Sequence, residues 1–156
     1  MSLETGLVCT MMCDYGMKHG NIKITRLLNT GVLFDLNLYD LHHHTKCKLI
    51  GFHVHEKGNL EKGCETLGPH YNPTGALHGN LNDPRVHYGD LGNIIVNKDG
   101  TCKQKVVSTM LNIQELLGRS LVVHSKTDDL GKGGDAESLK TGNSGGRICC
   151  GVIGYF

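Results

Sequence analysis

The sequence predicts an all-β fold, a sandwich or barrel of about eight short strands interrupted by two long loops. Residues 31–41 alternate strictly, with Val32, Phe34, Leu36 and Leu38 on one face and Leu33, Asp35, Asn37 and Tyr39 on the other. Similar period-two stretches recur along the chain with turn residues between them. Only residues 114–117 have the look of a helical turn, too short to change the class.

Taken in order, the opening Met1-Ser2-Leu3-Glu4-Thr5-Gly6 has no basic stretch followed by an apolar run, and the protein is expected to be cytoplasmic. Strands are expected at residues 7–13, 21–28 and 31–41, then at 49–56. Between the third and fourth stands His42-His43-His44, a run at a strand's end that is read as solvated. Residues 92–97 and 102–110 give two further strands, joined at Lys98-Asp99-Gly100 by a hairpin turn in which glycine accepts a positive φ. Residues 119–124 and 148–153 complete the set. The intervening residues 56–92 and 125–146 are rich in glycine and polar residues and exceed ordinary hairpin connections. Loops of that length in a small domain are commonly functional, and these are expected to be ordered.

The length of 156 residues suits one domain, residues 1–156. A formal net charge of +1 gives no global pull towards nucleic acid or a membrane surface. Seven cysteines in a reducing compartment are expected to be mainly buried thiols, and the odd number leaves at least one unpaired in the monomer. Cys9 and Cys13 are read as core residues. Histidine, present ten times, is the unusual component.

In Phe52-His53-Val54-His55, strand alternation puts both imidazoles on one face, where they can share an ion. His70, His78, His87 and Asp90 add three imidazoles and a carboxylate within a short span, a donor set that can close a tetrahedral zinc site. His124, at the end of a separate strand, can complete a set of imidazoles around a second ion, and imidazole suits copper.

At these residues the chain resembles the copper/zinc superoxide dismutases. The likeness rests on Gly51-Phe52-His53-Val54-His55-Glu56 and on Gly145-Gly146-Arg147 with Cys150-Gly151-Val152-Ile153-Gly154. Between them, in family order, lie Gly63-Cys64, Gly68-Pro69-His70-Tyr71-Asn72-Pro73, His78-Gly79, His87-Tyr88-Gly89-Asp90 and Val122-Val123-His124 through Gly134. The resemblance is strong from about Leu49 onward and weak before it.

It implies a Greek-key antiparallel barrel and superoxide dismutation by copper redox cycling, with zinc structural. It also implies His53, His55, His70 and His124 as copper ligands, and His70, His78, His87 and Asp90 as zinc ligands. His70 would bridge the metals and carry a proton, and Arg147 would dock the superoxide anion. Asp128 would tie a copper ligand to a zinc ligand by hydrogen bonds. Cys64 and Cys150 would form a disulfide; Cys149 beside it is expected to be buried or free, with a scrambled bridge as the alternative. Lys126, Lys132 and Lys140, with Glu137, would shape a positive approach to the metals.

Several positions depart from the family pattern. Ile50 replaces a usual histidine, and the stretch from Asp90 to Arg119 is a few residues short. Lys57 and Glu61 fall where dimeric relatives have a largely apolar interface, and burying unpaired charge there is unfavourable. The homodimer is therefore placed in doubt, although Leu117, Gly118, Ile153, Tyr155 and Phe156 would favour it. A copper chaperone is a further expected partner; nucleic acid and membrane are not. The alternative function is a noncatalytic metal-binding module that pairs with another dismutase.

Overall fold

The computed structural model describes residues 6–13, 16–28 and 31–156, so residues 1–5 of the N-terminal reading lie outside it. Eight strands form one antiparallel sheet: β1 (Leu7–Cys13), β2 (Met17–Arg26), β3 (Val32–Leu38), β4 (Leu49–His55), β5 (Asp90–Ile95), β6 (Cys102–Ser108), β7 (Ser120–His124) and β8 (Arg147–Tyr155). Their spatial order is β5-β4-β7-β8-β1-β2-β3-β6. Both β3 to β4 and β6 to β7 therefore cross between strands that are not neighbours, the Greek-key arrangement, and the sheet curls into a nearly closed barrel.

The Lys98-Asp99-Gly100 turn forms as expected, with the Asn97 and Gly100 amides donating to the Thr101 and Asn97 carbonyls and Gly100 at φ +83°. The strands it joins, β5 and β6, are the two ends of the sheet rather than a laddered hairpin. The amide of Ile95 crosses that seam to the Gln104 side chain at 3.0 Å. Turn chemistry specifies a reversal and not the partner.

On β1, β2 and β3, alternation yields one face in the core and one towards solvent. Val32, Phe34, Leu36 and Leu38 are buried as predicted. Phe34 meets Phe52 of β4 edge-to-face with ring centroids 6.1 Å apart, tying opposite walls of the barrel together. By contrast, β4 from Ile50 onward and all of β7 are buried on both faces. Ile50, Phe52 and Val54 serve the core, while the reverse face is roofed by residues 56–89 and 125–146. That roof contains little regular structure: a 3₁₀ turn at Gly63–Thr66 and a short helix at Ser138–Thr141. Among the described residues no helix is long and apolar enough to cross a membrane.

Two cysteines depart from expectation. Cys13 and Cys149 face each other across the β1–β8 ladder with Cα atoms 4.2 Å apart, and their sulfurs are joined. Both are buried, but neither is a lone thiol, because antiparallel pairing sets the two side chains directly opposite each other. Ile153, expected at a subunit contact, has its side chain in the core; Leu117, Tyr155 and Phe156 are exposed.

Candidate metal centre

The roofed face of β4 and β7 gathers the histidines. His53 and His55 project from β4 two residues apart, His124 from the end of β7 beside it, and His70 joins them through a bridge to His55. One ligand atom from each of these four buried residues lies within 4.8 Å of the others. Each nitrogen has a defined task. His53 donates from Nε2 to Asp128 Oδ2 at 2.6 Å, and its Nδ1 is buried without a partner. His55 and His124 donate from Nδ1 to the carbonyls of Gly68 (2.8 Å) and Gly145 (3.2 Å), which leaves their Nε2 atoms facing one another at 3.3 Å. Three imidazoles thus commit their protons outward and turn lone pairs inward, as a metal requires.

Burial reinforces this by favouring the neutral ring. It lowers His53 and His55 well below the usual imidazole value and His124 to about 3, with the neighbouring histidines adding to the effect. At neutral pH these rings are therefore uncharged and can offer their lone pairs to a cation.

The second set centres on one oxygen. The Nδ1 atoms of His78, His70 and His87 lie 2.8, 3.0 and 3.2 Å from Asp90 Oδ1. Burial alone would raise the Asp90 carboxyl, but the bonds from His70, His78 and His87 prevail and hold it well below the usual range. His78 is opposite in sign: burial pulls it down, yet bonds to Asp128 and Asp90 push it up to about 9. A cation entering here would displace the His78 proton. A donor atom of His53 also lies within 4.8 Å of His70, His78 and Asp90. His87 adjoins the same cluster, its Nδ1 lying 3.2 Å from Asp90 Oδ1 and 3.4 Å from His70 Nδ1.

Asp128 joins the two sets, accepting from His53 on Oδ2 and from His78 Nε2 on Oδ1 at 2.8 Å. Asn93 clamps its backbone from both sides, receiving the Asp128 amide at 2.8 Å and donating to its carbonyl at 2.9 Å. Gly142 packs over this link at φ +69°, where a Cβ would overlap both Asp128 Oδ1 and His78 Nε2. The Asp128 role was expected; the parts of Asn93 and Gly142 were not.

Cys64 and Cys150 are joined, tethering the first long loop to β8. Arg147, three residues before Cys150, donates from Nη1 to the Cys64 carbonyl (2.9 Å) and from Nη2 to that of Gly68 (2.8 Å). Its guanidinium is half-buried, and desolvation lowers it from its usual value, opposed by Glu65. The adjoining cleft, about 1070 Å³, is lined by His55, His70, His124 and Arg147 and also by Lys126, Glu137 and Lys140. Lys132 is not among its lining residues.

Residues 18–153 match the family model for copper/zinc superoxide dismutase. The chain belongs to that family. It is 51% identical over 108 residues to a superoxide dismutase [Cu-Zn] of Paramecium bursaria Chlorella virus 1, a match covering 67% of this chain and 58% of that protein. A namesake from Cryptococcus neoformans var. grubii is 53% identical over 108 residues, covering 67% and 70%, and one from Pleurocordyceps sinensis is 41% identical over 142 residues, covering 86% and 92%. Copper and zinc are the metals of this dismutase family, and the two donor sets fit them: an all-imidazole group for copper, and three imidazoles with a carboxylate for zinc.

Proposed function

We propose that residues 1–156 act as one superoxide dismutase domain. His53, His55, His70 and His124 hold copper, and His70, His78, His87 and Asp90 hold zinc. The observation that carries this reading is the outward commitment of one ring nitrogen on each of His53, His55 and His124, which leaves convergent lone pairs beside the Asp90 cluster. Bound copper would supply one-electron redox chemistry that converts superoxide to oxygen and hydrogen peroxide, while redox-inert zinc would supply fixed charge.

The chain's own residues do the rest. His70 directs Nδ1 to the Asp90 set, so Nε2 is the atom that can take up a proton and return it to the departing product. Arg147 uses two of its five N–H donors on backbone carbonyls and keeps a permanent positive charge at the cleft for a small anion. Lys126 and Lys140 bias the approach, an on-rate effect for which this family is itself the usual example. Asp128 fixes the ring orientations.

A cytoplasmic location and copper delivery by a chaperone accompany this reading. A homodimer is a possible assembly, placed in doubt by the charges of Lys57 and Glu61, and sedimentation would test it. Nothing in the site favours the noncatalytic alternative. Metal analysis combined with a superoxide-decay assay decides the activity. Protein loaded with both metals is expected to accelerate decay, and His53→Ala to lose copper and at least about 100-fold in rate, beyond the 10–100-fold typical of changes behind the ligands. Fully loaded protein with no effect on superoxide decay would refute the proposal.

A further inference from the structure

A second cluster of metal-binding side chains lies at the end of the barrel where β1 finishes and β2 and β8 begin. Cys13, His19 and Cys149 are all buried, and one ligand atom from each lies within 4.8 Å of the others. None of the three belongs to the dinuclear centre. On β8, the side chains of Cys149 and Cys150 diverge: Cys149 joins the main core, while Cys150 packs with Leu67, Val122 and Cys64.

His19 supplies the independent indication. Its Nδ1 is 3.0 Å from the Tyr39 carbonyl, which can only accept, so the proton resides on Nδ1 and the lone pair on Nε2. Backbone anchoring of one imidazole nitrogen while the other stays basic is the arrangement found behind metal-bound histidines. The ring is held further by Tyr39, stacked at 6.2 Å, and His44, edge-on at 5.0 Å. Cys9 and Cys102 show the contrast. They are buried thiols that burial pushes up to about 12 and 11, and among the described residues neither belongs to a ligand group.

We propose that Cys13, His19 and Cys149, with both thiols reduced, form a third metal site for a thiophilic closed-shell cation, zinc(II) or copper(I). Two sulfurs and one nitrogen are a soft donor set, suited to three-coordinate copper(I) or to zinc(II) with one further ligand. The joined sulfurs of the present structure are the competing state. Two equivalents of a thiol reductant convert that disulfide to two thiols and emerge as their own disulfide. The entering cation then displaces the two thiol protons. The site is independent of the dismutase reading.

The test uses full-length protein already loaded with copper and zinc, reduced anaerobically with a phosphine and titrated in separate arms with zinc(II), copper(I) and cadmium(II). Wild type is expected to take up one more equivalent of cation than Cys13→Ala or Cys149→Ala and to show a stronger thiolate-to-cadmium absorption. The tighter of the zinc and copper arms identifies the cation. His19→Gln, which leaves both sulfurs in place, should weaken binding about tenfold or more, and it decides the matter if the cysteine variants fail to fold. Equal uptake by wild type and variants would overturn the proposal. So would a Cys13–Cys149 bond that resists reduction while the barrel stays folded.

Discussion

The outward faces of β3 and β4 are built by the same alternation and meet opposite fates. On β3 the outward positions Leu33, Asp35 and Asn37 remain half-buried or exposed, and Asp35 sits between the charged Lys23 and Lys105 of neighbouring strands. On β4 the outward positions Gly51, His53 and His55 are fully enclosed by the long loops. A period-two pattern specifies which residues share a face; whether that face is wet depends on what the intervening chain does. Polar residues under a roof must find partners, and here those partners are one another, backbone carbonyls and Asp128.

The comparison can be broken in four places, from the largest effect to the smallest. Phe34→Ala removes the ring that reaches across the core to Phe52, and it should cost about 3–5 kcal/mol in denaturant unfolding of the metal-free protein. It should leave the ligand geometry intact in the protein that remains folded. Asp128→Asn keeps the shape of the link but removes its charge, so metal affinity should fall roughly 10–100-fold, measured by competition with a chelator. A loss confined to metal-free stability would make Asp128 merely structural. Arg147→Ala should retain both metals and lower the superoxide rate about tenfold, with a shallower dependence on salt. Unchanged kinetics would remove Arg147 from the reaction. On the wet side, Asn37→Thr should stay within about 0.5 kcal/mol of wild type and leave the rate unchanged.

Legibility in the sequence followed the same divide. The strand faces could be read because side-chain alternation is local, and the candidate ligands could be picked out because imidazole and carboxylate are chemically distinct. Where the outward residues are polar and the inward ones unusual, the pattern faded: β2 begins at Met17 rather than at 21, since Met17 and Lys18 are both exposed and Gly20 breaks the rhythm. Likewise β5 begins at Asp90, where a buried carboxylate of the histidine cluster occupies a strand position. The carbonyls of Cys64, Gly68 and Gly145 give no side-chain signal, although they set the orientation of Arg147, His55 and His124. The Cys13–Cys149 contact spans 136 residues and depends on β1–β8 register, which no local motif encodes. Lys132 lay in the right loop, but loop membership did not determine whether it lined the cleft.

The Gly68 carbonyl accepts from both His55 Nδ1 and Arg147 Nη2. One oxygen therefore serves as a common datum for a ring of the histidine cluster and for the guanidinium at the cleft. His55 and Arg147 stand on different strands, β4 and β8, so a displacement of that single carbonyl would take a hydrogen bond from both at once.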